Sequence, residues 1–443
     1  MKFFCKLNQN IRSTSEILFK LHSTHGLVFL EDQNHQVIAF NPRHYVVCNN
    51  KQFKYFKINS IYQYEMMDKL TIDNFIQFHS SNNPQTAATF SGGYIGFISY
   101  DYAAHQFTPV KERLQPSFYI GQYDSFLKFH DDHWYFYSDA DDAEQQWQQL
   151  EILLNQNTQI ETLSLQQTLR ARWSPATYRQ AFQRIQDYIL AGDCYQINLT
   201  QEFIGKAQGS LLSRAEHLWN LTNAPYAGYL KLDDFELLSC SPELFIELNQ
   251  QQLITRPIKG TMPRFDDPEL DAASKQKLKA SEKDQAENVM IVDLLRNDLS
   301  IYAETGSVKT NKLFEIESFN QVHHMVSEIE ATLKPDVNPF EVLMSALPGG
   351  SITGAPKIRA MQIIEELEGA PRGAYCGSLG YFNFDGSGRW NILIRSIQKF
   401  QDELSVWAGG GITIASDCDA EYQECFDKVS AMLDLLNTWQ IKD

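Results

Sequence analysis

An acid and a lysine lie on neighbouring apolar segments near the middle of the chain. Glu243 follows Pro242 in the segment LLSCSPELFIEL, and Lys259 precedes Gly260 in the segment LITRPIKGT. A carboxyl group and an amine that are held together away from water have shifted pKa values. Such a pair offers a proton donor beside a possible nucleophile. An ordinary ion pair across a surface hairpin is the alternative that this stretch leaves open.

A β-hairpin is the element that must position this pair. Two apolar, β-branched runs flank the polar turn Asn249–Gln252, which is the pattern of two paired strands. Residues of matching parity on such strands lie on one face of the sheet. A turn with an odd number of residues therefore makes Glu243 and Lys259 diagonal neighbours. An even turn separates them unless a β-bulge near either proline restores the match.

Two pairs of acids could hold a divalent metal ion. The first pair lies in a predicted helix at residues 281–299 and the second in a predicted helix at residues 420–439. The members of each pair are three residues apart and share a helix face: Asp284 with Glu287, and Glu421 with Glu424. Mg²⁺ takes oxygen ligands and keeps waters that a substrate can replace. Each pair alone also has a structural explanation, as a capping box or as acids at a helix N-terminus.

Two glycine-rich segments could bind a carboxylate group. Pro348–Lys357 reads PGGSITGAPK and leads into a predicted helix, but Ala355 stands where a phosphate-binding loop has its lysine. Backbone amides in this loop or in Gly409–Gly411 could instead hold a carboxylate. Arg395, on a neighbouring predicted strand, could bind a carboxylate through two hydrogen bonds. His324 is by default a core or surface histidine.

Composition limits the class of protein. The chain has 443 residues, which is too long for one simple core, and it carries a net charge of −17. Nucleic acid is therefore not an expected partner, since its phosphates attract basic surfaces. Seven cysteines without a C-x-x-C pair favour reduced thiols in the cytoplasm. We find neither a signal peptide at the start nor an apolar run long enough for a membrane span.

Patterning predicts a β-rich first part and a mixed second part. Predicted strands in the first part include Leu27–Leu30, Val37–Phe40, Tyr45–Cys48, Phe53–Ile58 and Ser117–Phe129. A predicted helix at 143–154 precedes the polar segment 155–168, which is the best linker candidate. The second part opens with Ser174-Pro175, a typical helix start. Its last predicted strands are Arg389–Lys399 and Leu404–Ala408.

Taken together, seven segments resemble the chorismate-utilising enzymes, a family that includes anthranilate synthases and isochorismate synthases. The segments are Gly192–Leu199 (GDCYQINL), Cys240–Phe245 (CSPELF), Pro257–Thr261 (PIKGT), Lys283–Asp298 (KDQAENVMIVDLLRND), Pro348–Ala360 (PGGSITGAPKIRA), Gly373–Tyr381 (GAYCGSLGY) and Gly409–Glu424. They follow the family's order across roughly residues 170–435. The N-terminal segment FSGGYIGFISYD resembles the N-terminal domain of the amino-transferring members.

This resemblance implies the fold and its division into domains. The fold is an α+β fold with four layers, α/β/β/α, and two large, mostly antiparallel sheets. The N-terminal and C-terminal parts are intergrown across these sheets, and the reactive cleft belongs to the C-terminal part. We expect a β-rich domain of the anthranilate synthase component I type at residues 1–165 and a chorismate-binding catalytic domain at residues 170–438.

Two positions indicate a branch of the family. Members that add water to chorismate have a lysine base at the position of Gln196, and a glutamine amide cannot act as that base. Anthranilate-forming members typically read PIAGT, whereas members that aminate C4 of chorismate read PIKGT, as this chain does at Lys259. The resemblance therefore implies formation of 4-amino-4-deoxychorismate, as in 4-aminobenzoate and folate synthesis. An anthranilate-forming enzyme and a non-catalytic homologue are the alternatives.

The resemblance also implies a role for each site residue. Lys259 would be the nucleophile and Glu243 the general acid, with His324 near the reacting ring. The substrate-binding residues would be Gln196, Thr261, Tyr375, Arg395, Gly409 and Gly411. Mg²⁺ would be held mainly by Glu287 and Glu424, with Asp284 and Glu421 behind them.

The implied source of ammonia is a partner protein. A glutaminase nucleophile lies in a G-x-C-x-G turn, and neither the segment around Cys194 nor the segment around Cys376 fits that pattern. A separate glutamine amidotransferase subunit would therefore deliver ammonia to the chorismate site.

Overall fold

Two large sheets form the centre of the molecule. The computed structural model describes residues 3–7, 13–32, 35–59, 63–67, 71–79, 89–319 and 322–441. The first half of the strands comprises β1 (Phe3–Lys6), β2 (Leu27–Asp32), β3 (His35–Ala39), β4 (His44–Asn49), β5 (Gln52–Ile58), β6 (Tyr64–Met66), β7 (Gly93–Ile98), β8 (Phe118–Tyr123), β9 (Ser125–His130), β10 (His133–Ser138), β11 (Ser164–Ala171) and β12 (Gln196–Gln208). The second half comprises β13 (Tyr226–Leu232), β14 (Phe235–Ser241), β15 (Leu244–Asn249), β16 (Gln252–Arg256), β17 (Ile258–Pro263), β18 (Lys309–Ser318), β19 (Val322–Thr332), β20 (Gly354–Ala355), β21 (Ser378–Asn383), β22 (Gly388–Asn391), β23 (Ser396–Phe400) and β24 (Glu403–Ile412).

Both sheets combine strands from the two parts of the chain. The first sheet has the order β1-β10-β9-β3-β2-β13-β14-β23-β24-β12-β11, with β20 beside β12. The second has the order β17-β19-β16-β15-β22-β21-β7-β8-β4-β5-β6, with β18 beside β19. The two parts meet where β2 pairs with β13 and β7 pairs with β21, both antiparallel. The α+β fold with two large antiparallel sheets is confirmed, while the domain boundary near residue 165 stays a prediction.

Twelve helices of the described residues accompany the sheets. They are α1 (Thr14–Leu21), α2 (Ile72–Phe75), α3 (Tyr100–His105), α4 (Ala143–Asn155), α5 (Pro175–Leu190), α6 (Ala215–Thr222), α7 (Pro268–Lys279), α8 (Glu282–Ser300), α9 (Pro339–Ala346), α10 (Lys357–Glu368), α11 (Cys418–Asp427) and α12 (Ser430–Asn437). The predicted starts of α5 and α8 are confirmed, because Ser174 and Ser281 cap them through their side chains. Across the described part of the chain, no helix combines the length and apolar character that crossing a membrane requires.

The four layers follow from the side chains, which point alternately to the two faces of each sheet along the strands. On β2, Val28 packs between the sheets, whereas Phe29 packs under a helical layer with Leu18 of α1. On β7, Phe97 points between the sheets, whereas Ile98 belongs to the core formed with helices such as α8, α9 and α10. Each sheet thus has one face on the other sheet and one face under helices.

Two segments that the sequence pattern predicts as single strands cross between the sheets. Ser117–Phe129 divides at Asp124 into β8 of the second sheet and β9 of the first. Arg389–Lys399 divides into β22 of the second sheet and β23 of the first. Arg395 therefore lies in the crossing segment and not on a strand, contrary to prediction. Both sheets share one interior, so the apolar pattern continues through each crossing.

Two further predictions differ from the structure. The predicted helix at 420–439 is divided into α11 and α12, because Val429 has a non-helical backbone (φ −129°, ψ 2°). Just before the break, the Lys428 side chain donates a hydrogen bond to the Gly409 carbonyl at 2.8 Å. The polar segment 155–168, predicted as a linker, already contains the beginning of β11.

Candidate active site

A cavity of about 710 Å³ opens in the C-terminal part of the molecule. Strands β17, β19 and β24 and helices α8 and α11 contribute side chains to its wall. Every residue predicted for the site lines this cavity except Gln196. The structure therefore brings the predicted site residues together, while their individual roles stay predictions.

The segment that carries Glu243 and Lys259 is not the single two-stranded hairpin that the sequence predicts. The turn between β15 and β16 has two residues, an even number, but a β-bulge in β15 shifts the register by one. Pro257 then interrupts the second run, and Lys259 lies on β17, which pairs with β19 and not with β15. The two side chains line the same cavity, although they are not diagonal neighbours on one two-stranded hairpin.

Burial makes Glu243 a carboxyl group that can donate a proton near neutral pH. Glu243 is 4% exposed, and burial raises its pKa to about 7 against the opposing effects of Lys259 and of a hydrogen bond from Ser351. The Ser351 Oγ donates this hydrogen bond to Oε1 at 3.2 Å. A large protonated fraction is therefore present at neutral pH, as general acid catalysis requires.

His324 presents a neutral imidazole to the cavity. It lies on β19 opposite Thr261 of β17, whose Oγ1 is 2.9 Å from the imidazole Nδ1. Burial, together with the Arg395 guanidinium, lowers the pKa of His324 to about 3. Its Nε2 is buried and finds no hydrogen-bond partner among the described residues. This nitrogen is therefore available to a bound ligand.

Four carboxylate side chains from two helices face the cavity. Asp284 and Glu287 lie on α8, and Glu421 and Glu424 lie on α11. Glu421 is 3% exposed and accepts a hydrogen bond from the Ser416 hydroxyl at 2.7 Å. Burial raises the pKa of Glu287. Uncompensated negative charge is thus costly here, and a cation is needed to balance it.

Two lysines that the sequence did not suggest for the site balance part of this charge. Lys283 Nζ lies 3.3 Å from Glu421 Oε1 and 3.9 Å from Glu287 Oε1, so it links α8 to α11. Lys428 Nζ lies 2.6 Å from Glu424 Oε1. Burial opposes ionisation of Glu424, but the charge and hydrogen bond of Lys428, together with the nearby Lys259 and Lys283, hold the pKa of that carboxyl below its usual range. The i, i+4 spacing of Glu424 and Lys428 was the available sequence signal.

The glycines of β24 let the carboxylates approach the backbone of the strand. A Cβ atom added at Gly410 would lie 2.9 Å from Glu421 Oε2 and 3.2 Å from Glu424 Oε1. Any larger residue at this position would therefore have to displace the carboxylates.

The peptide groups of the flanking glycines face away from β12. The Gly409 carbonyl accepts the hydrogen bond from Lys428, so it points to the side opposite β12. Gly411 has the same parity and points the same way. On that side, the pairing of β23 with β24 ends at Val406. The amides of Gly409 and Gly411 are therefore placed to bind an anion from the cavity.

Gln196 lies behind this strand and not on the cavity surface. It is fully buried on β12, and its Nε2 would be 2.5 Å from a Cβ atom at Gly411. Within the described part of the chain, neither of its amide atoms has a hydrogen-bond partner. Gly411 therefore lies between the Gln196 side chain and the cavity, where a contact between Gln196 and the substrate was predicted.

Arg395 and Tyr375 also line the cavity. Arg395 has a left-handed backbone (φ 50°) in the segment that crosses from β22 to β23, and it lines the cavity. Burial lowers the pKa of its guanidinium, which nevertheless remains a cation at neutral pH. The Tyr375 ring stacks on Trp407 at 5.9 Å between centroids. A guanidinium in the cavity wall suits a carboxylate ligand.

The donor set of the carboxylates fits Mg²⁺. No three His, Cys, Asp or Glu side chains of the described residues converge as in a closed metal site. Mg²⁺ does not need such a cage, because it usually binds one or two carboxylates and keeps several waters for a substrate to replace. Glu287 Oε1 is buried without a hydrogen-bond partner in the described structure, which leaves it available as a ligand.

Comparison with known proteins places this geometry in a family. The model of the family described as chorismate binding enzyme matches residues 26–434. The aminodeoxychorismate synthase component 1 of Klebsiella aerogenes is 48% identical over 277 residues, which is 62% of this chain and 61% of that relative, so the match spans about three fifths of the relative. The protein of the same name from Salmonella typhimurium is 41% identical over 81% of this chain and 79% of its own length.

A solved structure supports the same assignment. Anthranilate synthase component I from Streptococcus pneumoniae is 28% identical and superimposes with a TM-score of 0.76 over 90% of this chain and 92% of that chain. Because the family model covers nearly all of the described fold and the cavity within it, this chain belongs to the chorismate binding enzyme family.

Proposed function

We propose that this protein aminates chorismate at C4 and so forms 4-amino-4-deoxychorismate for 4-aminobenzoate and folate synthesis. The proposal rests on one observation above all: Lys259 shares a cavity with Glu243, whose pKa is about 7. An amine nucleophile and a protonated acid are what this displacement of a hydroxyl group needs. The relatives named aminodeoxychorismate synthase component 1 support the same activity.

Lys259 begins the proposed reaction. Its neutral amine adds to C2 of the ring, the two ring double bonds shift, and the bond between C4 and oxygen breaks. Glu243 protonates the departing hydroxyl, which leaves as water. The product of this step is a ring bound through C2 to the Lys259 nitrogen, which is then a positively charged secondary ammonium group, with Glu243 as a carboxylate.

Ammonia completes the reaction at C4. As its nitrogen adds, the double bonds shift back and the bond between C2 and the Lys259 nitrogen breaks. Lys259 leaves as a neutral amine, and the Glu243 carboxylate takes a proton from the new ammonium group. The enzyme is thereby returned to its starting state, and the net change is exchange of hydroxyl for amine.

Two different sets of residues would hold the two substrate carboxylates in the cavity. Arg395, Tyr375 and the amides of Gly409 and Gly411 are proposed for the enolpyruvyl carboxylate. Mg²⁺ bound mainly by Glu287 and Glu424, with Asp284 and Glu421 behind them, would neutralise the ring carboxylate. Thr261 and His324 also line the cavity.

A separate glutamine amidotransferase subunit is proposed as the source of ammonia. The words "component 1" in the names of the relatives support a multi-subunit enzyme. We place the activity in the cytoplasm, which the seven free cysteines support, since oxidising compartments favour disulfides.

Glu424→Gln is expected to lower turnover by about a hundredfold or more and to weaken chorismate binding at limiting Mg²⁺, because one charge facing the metal is lost. Its fold should be unchanged, and the measurement is kcat and KM against Mg²⁺ concentration. Glu366→Gln is the matched control, since Glu366 is an exposed carboxylate that pairs with Arg184 outside the cavity. The same Mg²⁺ dependence in Glu424→Gln as in the wild type would contradict the assignment.

The isolated chain is expected to use ammonium salts but not glutamine. Its rate should rise with pH as free ammonia increases, and glutamine should become a donor only when an amidotransferase subunit is added. The assay follows consumption of chorismate together with anthranilate fluorescence, which should not appear. Product from glutamine with the isolated chain would show a glutaminase site in it, and anthranilate as the main product would overturn the proposed function.

A further inference from the structure

A buried ion pair connects the segments behind the cavity. Arg372 and Glu368 are 1% and 2% exposed. The guanidinium donates through Nε to Glu368 Oε2 at 2.8 Å and through Nη2 to Oε1 at 2.7 Å. Glu368 is the last residue of α10 and also accepts hydrogen bonds from the amide and hydroxyl of Thr200 on β12. The pair therefore fixes the end of α10 to β12.

The remaining donors of Arg372 bind the wall of the cavity from behind. Nη1 donates to the Ile352 carbonyl at 2.9 Å, and Nη2 donates to the Asn198 carbonyl at 2.8 Å. Both of these residues line the cavity. Asn198 Nδ2 donates to the same Ile352 carbonyl at 3.0 Å. Arg372 thus holds the glycine-rich segment 348–357 against β12.

The residue before Ile352 contacts the proposed general acid. Ser351 donates its hydroxyl hydrogen bond to Glu243 Oε1 at 3.2 Å, and both side chains are buried. Arg372 itself is not among the residues that line the cavity. An effect of Arg372 on the reaction must therefore pass through a neighbour. One route runs through Tyr375, whose ring centroid lies 5.8 Å from the guanidinium carbon and which lines the cavity. Another runs through the Ile352 carbonyl to Ser351, and only this route reaches the proposed general acid, Glu243.

We propose that Arg372, held by Glu368, is a positioning residue that keeps Ser351 within hydrogen-bond reach of Glu243. This inference rests on the proposed function, because it takes Glu243 as the general acid. Stability alone does not require the pair, since replacing a buried ion pair by uncharged side chains of similar volume is often neutral or stabilising. Small displacements of a catalytic group, in contrast, are costly to the rate.

The test removes both charges at once. Arg372→Met combined with Glu368→Gln leaves no unpaired buried charge, and the new amide oxygen can still accept the hydrogen bonds of Thr200. We expect kcat with chorismate and ammonia to fall by about tenfold or more, while Tm stays within about 4 °C of the wild type. Arg389→Met combined with Asp32→Asn and Glu247→Gln is the matched control, because Arg389 (4% exposed) pairs with both of these carboxylates and none of the three residues lines the cavity. This control variant, once shown to be folded, should keep the wild-type kcat.

A second comparison shows whether the effect passes through Ser351. Ser351→Ala should lower kcat by itself, and adding the Arg372 and Glu368 substitutions should lower it little further. If the double variant does not fold, Arg372→Lys replaces it in the test, because it keeps the positive charge but loses the planar set of hydrogen-bond donors. We expect the kcat of Arg372→Lys to fall as well. A wild-type kcat in the folded variant would overturn the inference. So would a triple variant in which the loss of kcat equals the product of the losses caused by Ser351→Ala and by the Arg372 and Glu368 substitutions. A wild-type protein that leaves chorismate unchanged would instead contradict the proposed function.

Discussion

Lys259→Ala is expected to lower formation of 4-amino-4-deoxychorismate by about a thousandfold or more, because it removes the amine that must add at C2 before C4 can be aminated. Glu243 would still be able to protonate the C4 hydroxyl in this variant. Ammonia could then attack C2 directly and give 2-amino-2-deoxyisochorismate or anthranilate. Separation of the products by chromatography with mass detection measures both routes.

Lys279→Ala is the control for this substitution, since Lys279 is an exposed lysine at the end of α7. It should leave the rate and the product unchanged. In the wild type, trapping during turnover should give a covalent adduct on the peptide that contains Lys259. If Lys259→Ala makes 4-amino-4-deoxychorismate at the wild-type rate and no adduct forms, Lys259 is an electrostatic or structural residue.

Glu243→Gln is expected to lower turnover by about 10² to 10⁴-fold, because neither amination at C4 nor amination at C2 can expel hydroxide unaided at neutral pH. In the wild type, the acid is present below its pKa of about 7 and is lost as the pH rises through that value. At a fixed concentration of free ammonia, the pH profile of the wild-type rate should therefore show an ionisation near pH 7 that the residual activity of the variant lacks. Full activity of the variant, or the same ionisation near pH 7 in the profile of the variant, would remove Glu243 from the role of acid.

The same substitution should stabilise the fold, with a defined pH dependence. A folded-state pKa of about 7, raised from 4.5, means that ionised Glu243 destabilises the folded state as the pH rises toward 7. Glu243→Gln should therefore gain less than about 1 kcal/mol near pH 5 and about 3 kcal/mol above pH 8 relative to the wild type. Denaturant unfolding at several pH values measures this gain. A difference that is constant with pH would show that the Glu243 pKa is not raised in the folded state.

Much of the fold could be predicted from local patterns. The alternation of apolar and polar residues predicted β2 to β5, and the capping residues Ser174 and Ser281 predicted the starts of α5 and α8. The strand crossings at Asp124 and before Arg395 were missed, because a chain that moves from one sheet to the other keeps its apolar pattern when both sheets share an interior.

Those residues of the candidate site that lie in short sequence motifs could be predicted. Lys259, Glu243 and the four acids lie in such motifs, and all of them line one cavity. Contacts between residues far apart in the sequence left no local signal. Arg372 binds the Asn198 carbonyl across 174 positions, and Lys283 reaches Glu421 across 138 positions. Only the tertiary structure brings these groups together.

The most direct test of the proposed activity follows a labelled nitrogen into the product. The wild-type protein is incubated with chorismate, Mg²⁺ and ¹⁵N-labelled ammonium, and NMR then identifies the ring carbon that carries the label. Amination at C4 predicts ¹⁵N bonded to C4 in a product that keeps the enolpyruvyl ether and carries no nitrogen at C2. Label at C2, with release of pyruvate and an aromatic ring, would contradict the role given to Lys259 and make this protein an anthranilate-forming enzyme.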